Sequence, residues 1–159
     1  MSTTTNPIEI TSLSFESLRT IMNNQPAKHL EEVPFGNFKL EIDLCDEVYI
    51  HAESTGHCKC YAAFVDNEYA GYMIVMASEM IHHKDTLHAV TDSFYITPAN
   101  RSSGAFKALL KYVEQNLQKN GIRFFTVGLN PNMPHAIPMV SFMQVQSYQH
   151  TETSVTKEL

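Results

Sequence analysis

Cysteine is scarce in this chain of 159 residues, which has three copies at uneven spacing. An odd count argues against a disulfide framework and favours a reducing compartment. No apolar run is long enough to cross a bilayer, and the polar residues 1–6 lack the basic start and apolar core of a signal peptide. We therefore expect a cytoplasmic protein that has no membrane partner.

Positive charge is also scarce. The chain has 11 lysines and arginines against 17 aspartates and glutamates, a formal net charge of −6, which argues against a nucleic-acid partner. Internal repeats, low-complexity tracts and linkers are absent from the sequence, and hydrophobic residues make up 43% of it. A chain of this length can bury one sizeable core, so we predict a single domain over residues 1–159, with residues 1–7 disordered.

What the sequence does contain is an alternation of strand and helix patterns. The apolar periodicity predicts strands over residues 8–10, 58–65, 69–78, 87–96 and 124–130, and helices over residues 14–23, 43–53 and 105–120. Asp66 and Asn67 mark a tight hairpin turn between the second and third strands. Because a long helix joins the fourth and fifth strands after an antiparallel run, we predict an α/β fold with a mixed, mostly antiparallel central sheet.

The last third of the chain carries weaker signals. Pro131, Pro134 and Pro138 restrict the segment after the fifth strand to a short or broken helix. Residues 143–159 are polar with weak alternation, which predicts one or two edge strands. Earlier in the chain, the histidine-rich residues 79–86 are predicted to form the loop before the fourth strand.

The stretch from Phe94 to Phe106 is the most informative part of the chain. It reads as a buried strand, a turn and an Arg-x-x-Gly loop that opens the long helix. The start of a helix offers free backbone N–H groups and a partial positive charge, which suit a phosphate-bearing ligand. Arg101 adds a fixed cation, and Ser102 and Ser103 add hydroxyl donors. The combination favours an acyl-coenzyme A or a nucleotide pyrophosphate, although Phe106 replaces the small residue that would let such a ligand approach closely.

The motifs of this stretch occur in a fixed order. They are Tyr95-Ile96-Thr97-Pro98, Arg101-Ser102-Ser103-Gly104-Ala105-Phe106 and Leu109-Leu110. This order resembles the central acetyl-coenzyme A motif of the GNAT superfamily of N-acetyltransferases: a strand with a proline shortly after it, an Arg-or-Gln-x-x-Gly-x-Gly-or-Ala loop, and an apolar helix. The similarity spans about residues 29–142.

Three further motifs lie earlier in the chain. They are Gly71-Tyr72, His82-His83-Lys84-Asp85-Thr86 and Ala89-x-x-Asp92-x-x-Tyr95. Within the GNAT superfamily, this set is similar to the small acetyltransferase-like proteins of tailed bacteriophages.

The resemblance implies a GNAT-like domain with flanking helices and a splay between the fourth and fifth strands. The backbone of Phe94, Tyr95 and Ile96 would pair with the pantetheine arm of acetyl-coenzyme A, which would extend the sheet as a pseudo-strand. Asn130, at the end of the fifth strand, would be a further contact. The pyrophosphate would be held by the backbone N–H groups of Arg101, Ser102, Ser103, Gly104, Ala105 and Phe106.

The chain departs from the family pattern at several positions around this site. Phe106 stands in place of the last small residue of the loop. Ile137 falls where the family often has a tyrosine that protonates the leaving thiolate, and Pro138 is predicted to break that helix. Ser141 stands where glycine is usual. These departures leave the fold unaffected and bear on the chemistry.

Acetyl transfer to an amine needs a base for the ammonium group and an acid for the thiolate. Asp92, two residues before Phe94, is the best-placed carboxylate; the alternative is that it only hydrogen-bonds nearby backbone. His88 could relay a proton, although a solvated histidine is the default. Tyr95 or Tyr72 could replace the missing acid, or could be core tyrosines beside the cleft.

Cys58 and Cys60 are candidate metal ligands, but their pattern does not favour a metal site. Cys58 and Cys60 alternate along a strand and are predicted to share one buried face. No second pair of ligands accompanies them, so no metal site is predicted. Cys45 is expected to be a small core residue of the second helix.

The sequence therefore predicts an acyl-coenzyme A-dependent N-acyltransferase. The reaction would be direct attack of an unknown amine acceptor on acetyl-coenzyme A, which serves as co-substrate. The alternative is a catalytically degenerate GNAT-fold protein of a bacteriophage, located in the host cytoplasm, that binds a protein partner or takes part in virion assembly. A homodimer is compatible with either prediction.

Overall fold

The computed structural model describes residues 7–24, 44–131, 136–152, 154 and 156–157. Within these ranges the strands are β1 (Ile8–Leu13), β2 (Cys58–Val65), β3 (Glu68–Met80), β4 (His83–Ile96) and β5 (Phe124–Thr126). The helices are α1 (Phe15–Asn23), α2 (Asp46–Ser54), α3 (Ala105–Lys119) and α4 (Ala136–Val145), with a 3₁₀ turn at Pro98–Asn100. The disorder predicted for residues 1–7 falls, apart from Pro7, outside the described ranges.

The strands form a single five-stranded sheet in the order β1-β2-β3-β4-β5. The first four strands pair antiparallel, and β5 pairs parallel to β4. Asp66 and Asn67 both have positive φ, 54° and 65°, which is the geometry of a tight two-residue hairpin between β2 and β3. The predicted α/β fold with a mixed sheet is therefore confirmed.

The helices cover the sheet on both sides. Side chains of α1 and α2 pack with Cys58, Cys60 and Tyr72 on one face, while α3 and α4 pack on the other. The apolar stripe predicted for the long helix is buried against the second face, as expected from its helical spacing: Leu109, Leu110, Val113 and Leu117. No helix in the described part of the chain has both the length and the apolar character needed to span a membrane.

Three predictions about strands were wrong. Residues 79–86 form no loop, because β3 runs to Met80 and β4 begins at His83, which leaves a two-residue turn. The fifth strand ends at Thr126 instead of continuing to Asn130. No strand follows it in the described residues, where residues 136–145 are helical and the chain beyond them has no regular structure. Weak alternation did not suffice to form a strand there.

Pro138 does not break its helix, which corrects the prediction for this segment. It is the third residue of the ten-residue helix α4. The N–H groups of a first helical turn have no acceptor within the helix, so the missing proline donor costs nothing at that position.

Cys45 was also predicted wrongly. It lies just before α2 and is exposed, because the helix begins one residue later than the cysteine. Cys58 and Cys60 are buried on one face of β2, as predicted, with their Sγ atoms 4.0 Å apart.

Candidate functional site

The sheet opens between β4 and β5. Their parallel pairing covers only three positions and ends at Val90 opposite Thr126. One step further, the Thr91 hydroxyl accepts a hydrogen bond from the Gly128 N–H group at 2.8 Å, which ties the diverging chains together. Beyond Thr91, the edge of β4 that faces β5 has no ladder partner in the described part of the chain. Such an edge can pair with an extended ligand.

A β-bulge lies at the point where the strands separate. Ile74 pairs with Ser93 while Val75 pairs with Thr91, so Asp92 is the extra residue of β4. A bulge redirects side chains by interrupting the alternation of a strand. Asp92 consequently lies on the α1 and α2 face, whereas Phe94 packs in the core on the α3 and α4 face.

The loop after β4 folds back onto the end of that strand. Arg101 Nε donates to the Ile96 carbonyl at 3.2 Å, and its guanidinium lies 5.8 Å from the centre of the Tyr95 ring. The Asn100 side chain donates to the Thr97 hydroxyl at 2.9 Å. The Arg101 contacts stabilise the turn between β4 and α3.

The start of α3 follows directly. Ser103 Oγ donates to the Asn100 carbonyl and accepts from the Ala105 N–H group, so its hydroxyl is engaged on both sides. Gly104 has φ of 88°, a conformation that favours glycine. In the described part of the chain, the N–H groups of Phe106 and Lys107 have no backbone acceptor. These donors and the helix dipole form a suitable site for an anion.

The Phe106 side chain points away from this loop. Its ring centre lies 5.4 Å from that of Phe94 on β4 and 5.7 Å from that of Phe142 on α4. All three rings are half-buried. The aromatic cluster Phe94–Phe106–Phe142 therefore lies under the splay on the α3 and α4 face, and the ring leaves the backbone of the loop accessible.

Asp92 is exposed, and its carboxylate accepts a 2.9 Å hydrogen bond from the Tyr49 hydroxyl of α2. The contact is thus to a side chain 43 residues away and not to neighbouring backbone, which was the alternative considered. Burial, together with this hydrogen bond to Asp92, raises the pKa of the Tyr49 hydroxyl above its ordinary value. Tyr49 therefore stays a neutral donor at physiological pH.

The other predicted site residues lie at different depths. His88 precedes the splay, and its Nε2 lies 2.8 Å from the Thr126 hydroxyl, where it joins β4 to β5. Tyr95 is half-buried on the α1 and α2 face beside Arg101. Tyr72 is buried, and desolvation raises the pKa of its hydroxyl despite a hydrogen bond with Ser93. Ile137 is 82% exposed.

Two residues of this site carried no usable signal in the sequence. Tyr49 lies in a separate helix, and only packing of α2 on the sheet brings it to Asp92. Thr91 resembles any threonine of a strand, and its contact with Gly128 depends on where β5 diverges. Among the described residues, no group of three or more His, Cys, Asp or Glu side chains is arranged to hold a metal ion.

A five-stranded mixed sheet, helices on both faces and a splay that opens beside a helix start together define a GNAT-like α/β fold. The sequence profile described as "Acetyltransferase (GNAT) family" matches residues 24–141, about three quarters of the chain. The chain therefore belongs to the GNAT acetyltransferase family. No match was found among curated proteins.

Solved structures agree with this fold at low sequence identity. An aminoglycoside acetyltransferase from an uncultured soil metagenomic sample, in complex with sisomicin, is 14% identical with a TM-score of 0.69, and the match covers 96% of each chain. The ribosomal-protein-alanine N-acetyltransferase of Brucella melitensis biovar Abortus is 14% identical with a TM-score of 0.68, covering 95% of this chain and 99% of that one.

A third structure carries a coenzyme A derivative. AAC(6')-Iy, in complex with the bisubstrate analog CoA-S-monomethyl-acetylneamine, is 12% identical with a TM-score of 0.64, and the match covers 96% of this chain and 98% of that one. At these identities the likeness concerns the fold alone.

Proposed function

We propose that this protein is an acetyl-coenzyme A-dependent N-acetyltransferase that acts on a primary amine. The observation that carries the proposal is the splay beyond Val90 and Thr126, on the strand that leads into the start of α3, where free N–H groups suit an anion. Family membership and structural similarity to acetyltransferases support it.

The residues around the splay fit acetyl-coenzyme A. The backbone of Phe94, Tyr95 and Ile96, which lies beyond the last ladder pair of β4 with β5, would pair with the pantetheine arm. Of the N–H groups from Arg101 to Phe106, those of Arg101, Ser103 and Ala105 already donate within the loop, so those of Ser102, Gly104 and Phe106 would hold the pyrophosphate. The Phe106 ring points away from them. Asn130 would be a further contact beyond β5. When bound, acetyl-coenzyme A supplies an activated thioester carbonyl and a thiolate leaving group.

Asp92 is the proposed base. Its exposed carboxylate lies on the α1 and α2 face, so we place the acceptor there, opposite the aromatic cluster. The carboxylate would bind the ammonium group and accept one of its protons, directly or through water. The neutral nitrogen then attacks the carbonyl carbon. As the bond from carbon to sulfur breaks, the nitrogen gives up its second proton and the thiolate takes up a proton, which leaves a neutral amide and a free thiol.

The proton for the thiolate has two candidate sources. Ile137 cannot donate one, and Tyr72 is a weak candidate because burial disfavours its ionisation. Tyr95 lies at the splay beside Arg101, so we propose Tyr95 or solvent as the donor. We assign His88 a positioning role, since it joins the paired parts of β4 and β5 through Thr126.

Calorimetric titration with acetyl-coenzyme A, followed by an acetyl-transfer assay with sisomicin, tests the proposal. We expect Asp92→Asn to retain acetyl-coenzyme A affinity and to lose about 100-fold in turnover, the usual range for a general base. Absence of acetyl-coenzyme A binding at high micromolar concentration would rule out the enzyme. Equal turnover in Asp92→Asn would remove Asp92 from the mechanism.

A second candidate function is a binding protein that keeps the fold without catalysis. Two observations favour it: aromatic rings lie under the splay, and the family's tyrosine position holds the exposed Ile137. A bacteriophage protein in the host cytoplasm, with a protein partner or a second copy of itself, belongs to this candidate. Binding of acetyl-coenzyme A without transfer to any amine would favour it over the enzyme.

A further inference from the structure

The contact between Tyr49 and Asp92 joins the helical layer to the splay. Asp92 is the bulged residue of β4, and a bulged residue has no ladder partner to fix its backbone. Its exposed carboxylate would sample several rotamers if it were left in water alone. The Tyr49 hydroxyl, 2.9 Å away, selects one of them.

Tyr49 itself is held firmly. Its ring stacks on the fully buried ring of Phe15, with centres 4.5 Å apart and planes within 7°. The two helices are further joined by Glu53, which accepts from the Phe15 N–H group at 2.9 Å. The Arg19–Asp46 ion pair, at 3.1 Å, is a third link. The stacked ring and the links between α1 and α2 therefore hold the Tyr49 hydroxyl in a fixed position beside the sheet.

The charge at this position suits a cation. Asp92 forms no ion pair with any cationic side chain in the described part of the chain. Tyr49 is a neutral donor, so its hydrogen bond brings no positive charge to the carboxylate, which lies beside the open edge of β4. A primary ammonium group would complete the hydrogen bonding of this carboxylate.

We propose that Tyr49 is a positioning residue that fixes the Asp92 carboxylate as the anchor for the ammonium group of the acceptor, which enters from the α1 and α2 face. The inference rests on the function proposed above and deepens it by assigning a positioning residue to the acceptor site. The ammonium group can belong to a small polycationic amine or to a lysine or amino terminus of a peptide.

Tyr49→Phe tests this role because it removes only the hydroxyl and keeps the ring stacked on Phe15. Acetyl transfer is measured with sisomicin and, in parallel, with a lysine-containing peptide. We expect KM for the preferred amine to rise about three- to tenfold, the range for loss of one ordinary intramolecular hydrogen bond, since Tyr49 acts on the amine only through Asp92. KM for acetyl-coenzyme A and the melting temperature should be unchanged, and the acceptor affected identifies the source of the ammonium group.

Tyr148→Phe is the matched control. Its hydroxyl also donates to a carboxylate, that of Glu114 at 2.7 Å, but on the opposite face of the sheet. It should leave KM for the amine unchanged. In the Asp92→Asn background, Tyr49→Phe should add no further effect, because Tyr49 acts through Asp92.

Three outcomes overturn the inference, and they are distinguishable from failure of the proposed function. Unchanged amine kinetics in an active Tyr49→Phe protein would overturn it alone. Equal changes in both KM values with a lowered melting temperature would show that the contact is only a tether between α2 and β4. Full additivity with Asp92→Asn would also contradict it. If the wild-type protein transfers acetyl to neither amine, both proposals fall.

Discussion

Asp92 and Phe94 lie two positions apart in β4, yet their side chains lie on opposite faces of the sheet. Regular alternation would place both on one face. The bulge at Asp92 adds one residue to β4 and reverses the alternation after it. A single strand thereby places the Asp92 carboxylate on the α1 and α2 face and the Phe94 ring under the splay on the α3 and α4 face.

Gly104 is the residue at which backbone conformation matters most for the loop. Its φ is 88°, and a Cβ there would meet only Ile8 Cδ1 at 3.8 Å, so strain and not crowding opposes substitution. We expect Gly104→Ala to lower the free energy of unfolding by about 1–2 kcal/mol, measured by urea denaturation. We also expect weaker acetyl-coenzyme A binding in calorimetry, because relief of the strain would turn the loop N–H groups.

Gly121→Ala is the matched control for this change. Gly121 has φ of 78° and lies at the other end of α3, where a Cβ would have no neighbouring atom within 4 Å among the described residues. The same loss of stability with unchanged affinity is expected there. If Gly121→Ala weakens acetyl-coenzyme A binding as much as Gly104→Ala does, the effect is general destabilisation and the loop assignment is contradicted.

At the scale of elements, one aromatic cluster links β4, α3 and α4, in addition to the buried apolar stripe of α3. Phe94 belongs to β4, Phe106 to the first turn of α3 and Phe142 to α4. Phe106, the residue that departs from the family loop pattern, therefore packs against rings of two other elements. Its ring lies under the splay, away from the loop backbone.

Phe106→Ala should separate packing from binding. Because the ring is half-buried, we expect a loss of about 1–3 kcal/mol in the free energy of unfolding, less than for a fully buried phenylalanine. The Kd for acetyl-coenzyme A should stay within about threefold, since the ring points away from the N–H groups; urea denaturation and calorimetry measure the two quantities.

Phe64→Ala provides the comparison for Phe106→Ala. Phe64 is also half-buried and contacts an aromatic ring, Tyr69, but in the core beneath α1 and α2. A similar loss of stability is expected, with the same Kd. Binding that becomes more than about tenfold tighter only in Phe106→Ala would mean that the ring occupies the path of the pantetheine arm, which would support the non-catalytic candidate.

At the scale of the whole molecule, tyrosines pack in the cores on both faces of the sheet. Burial raises the pKa of five tyrosine hydroxyls: Tyr49, Tyr61, Tyr69, Tyr72 and Tyr148. In Tyr148 the hydrogen bond to Glu114 adds to the effect of burial. The folded protein therefore retains these protons to a higher pH than the unfolded chain, in which tyrosine titrates near pH 10.

This difference predicts loss of stability in alkali. Below about pH 10 the folded and unfolded states hold the same tyrosine protons, so these groups do not lower the free energy of unfolding. Above about pH 10 the unfolded chain releases protons that the folded protein keeps, so the free energy of unfolding falls. As the pH rises, the free energy of unfolding measured by urea denaturation should fall over the range in which tyrosinate absorbance near 295 nm rises. Tyr61→Phe should reduce the slope of the free energy of unfolding against pH. Full tyrosinate absorbance near pH 10 in a protein whose near-ultraviolet circular dichroism spectrum is unchanged would contradict the prediction.

The sequence was sufficient where local rules decide structure. The bounds of β2 follow from apolar residues between turn residues, and the hairpin follows from Asp66 and Asn67. The strand, turn and helix from β4 to α3 follow from Pro98, Gly104 and the apolar stripe of α3. Failures came where local signals were weak, as after Thr126, or where position within an element mattered, as for Pro138.

By itself, the sequence determined the family and fold of this protein and the segment from Phe94 to Phe106 as its candidate site, because short-range patterns of burial and turn formation encode them. Only the tertiary structure decided that Asp92 meets Tyr49, that Phe106 joins Phe94 and Phe142, and that the splay begins at Thr91. The physical reason is that these contacts join separate elements, and a one-residue bulge or the divergence of two strands sets which side chains meet.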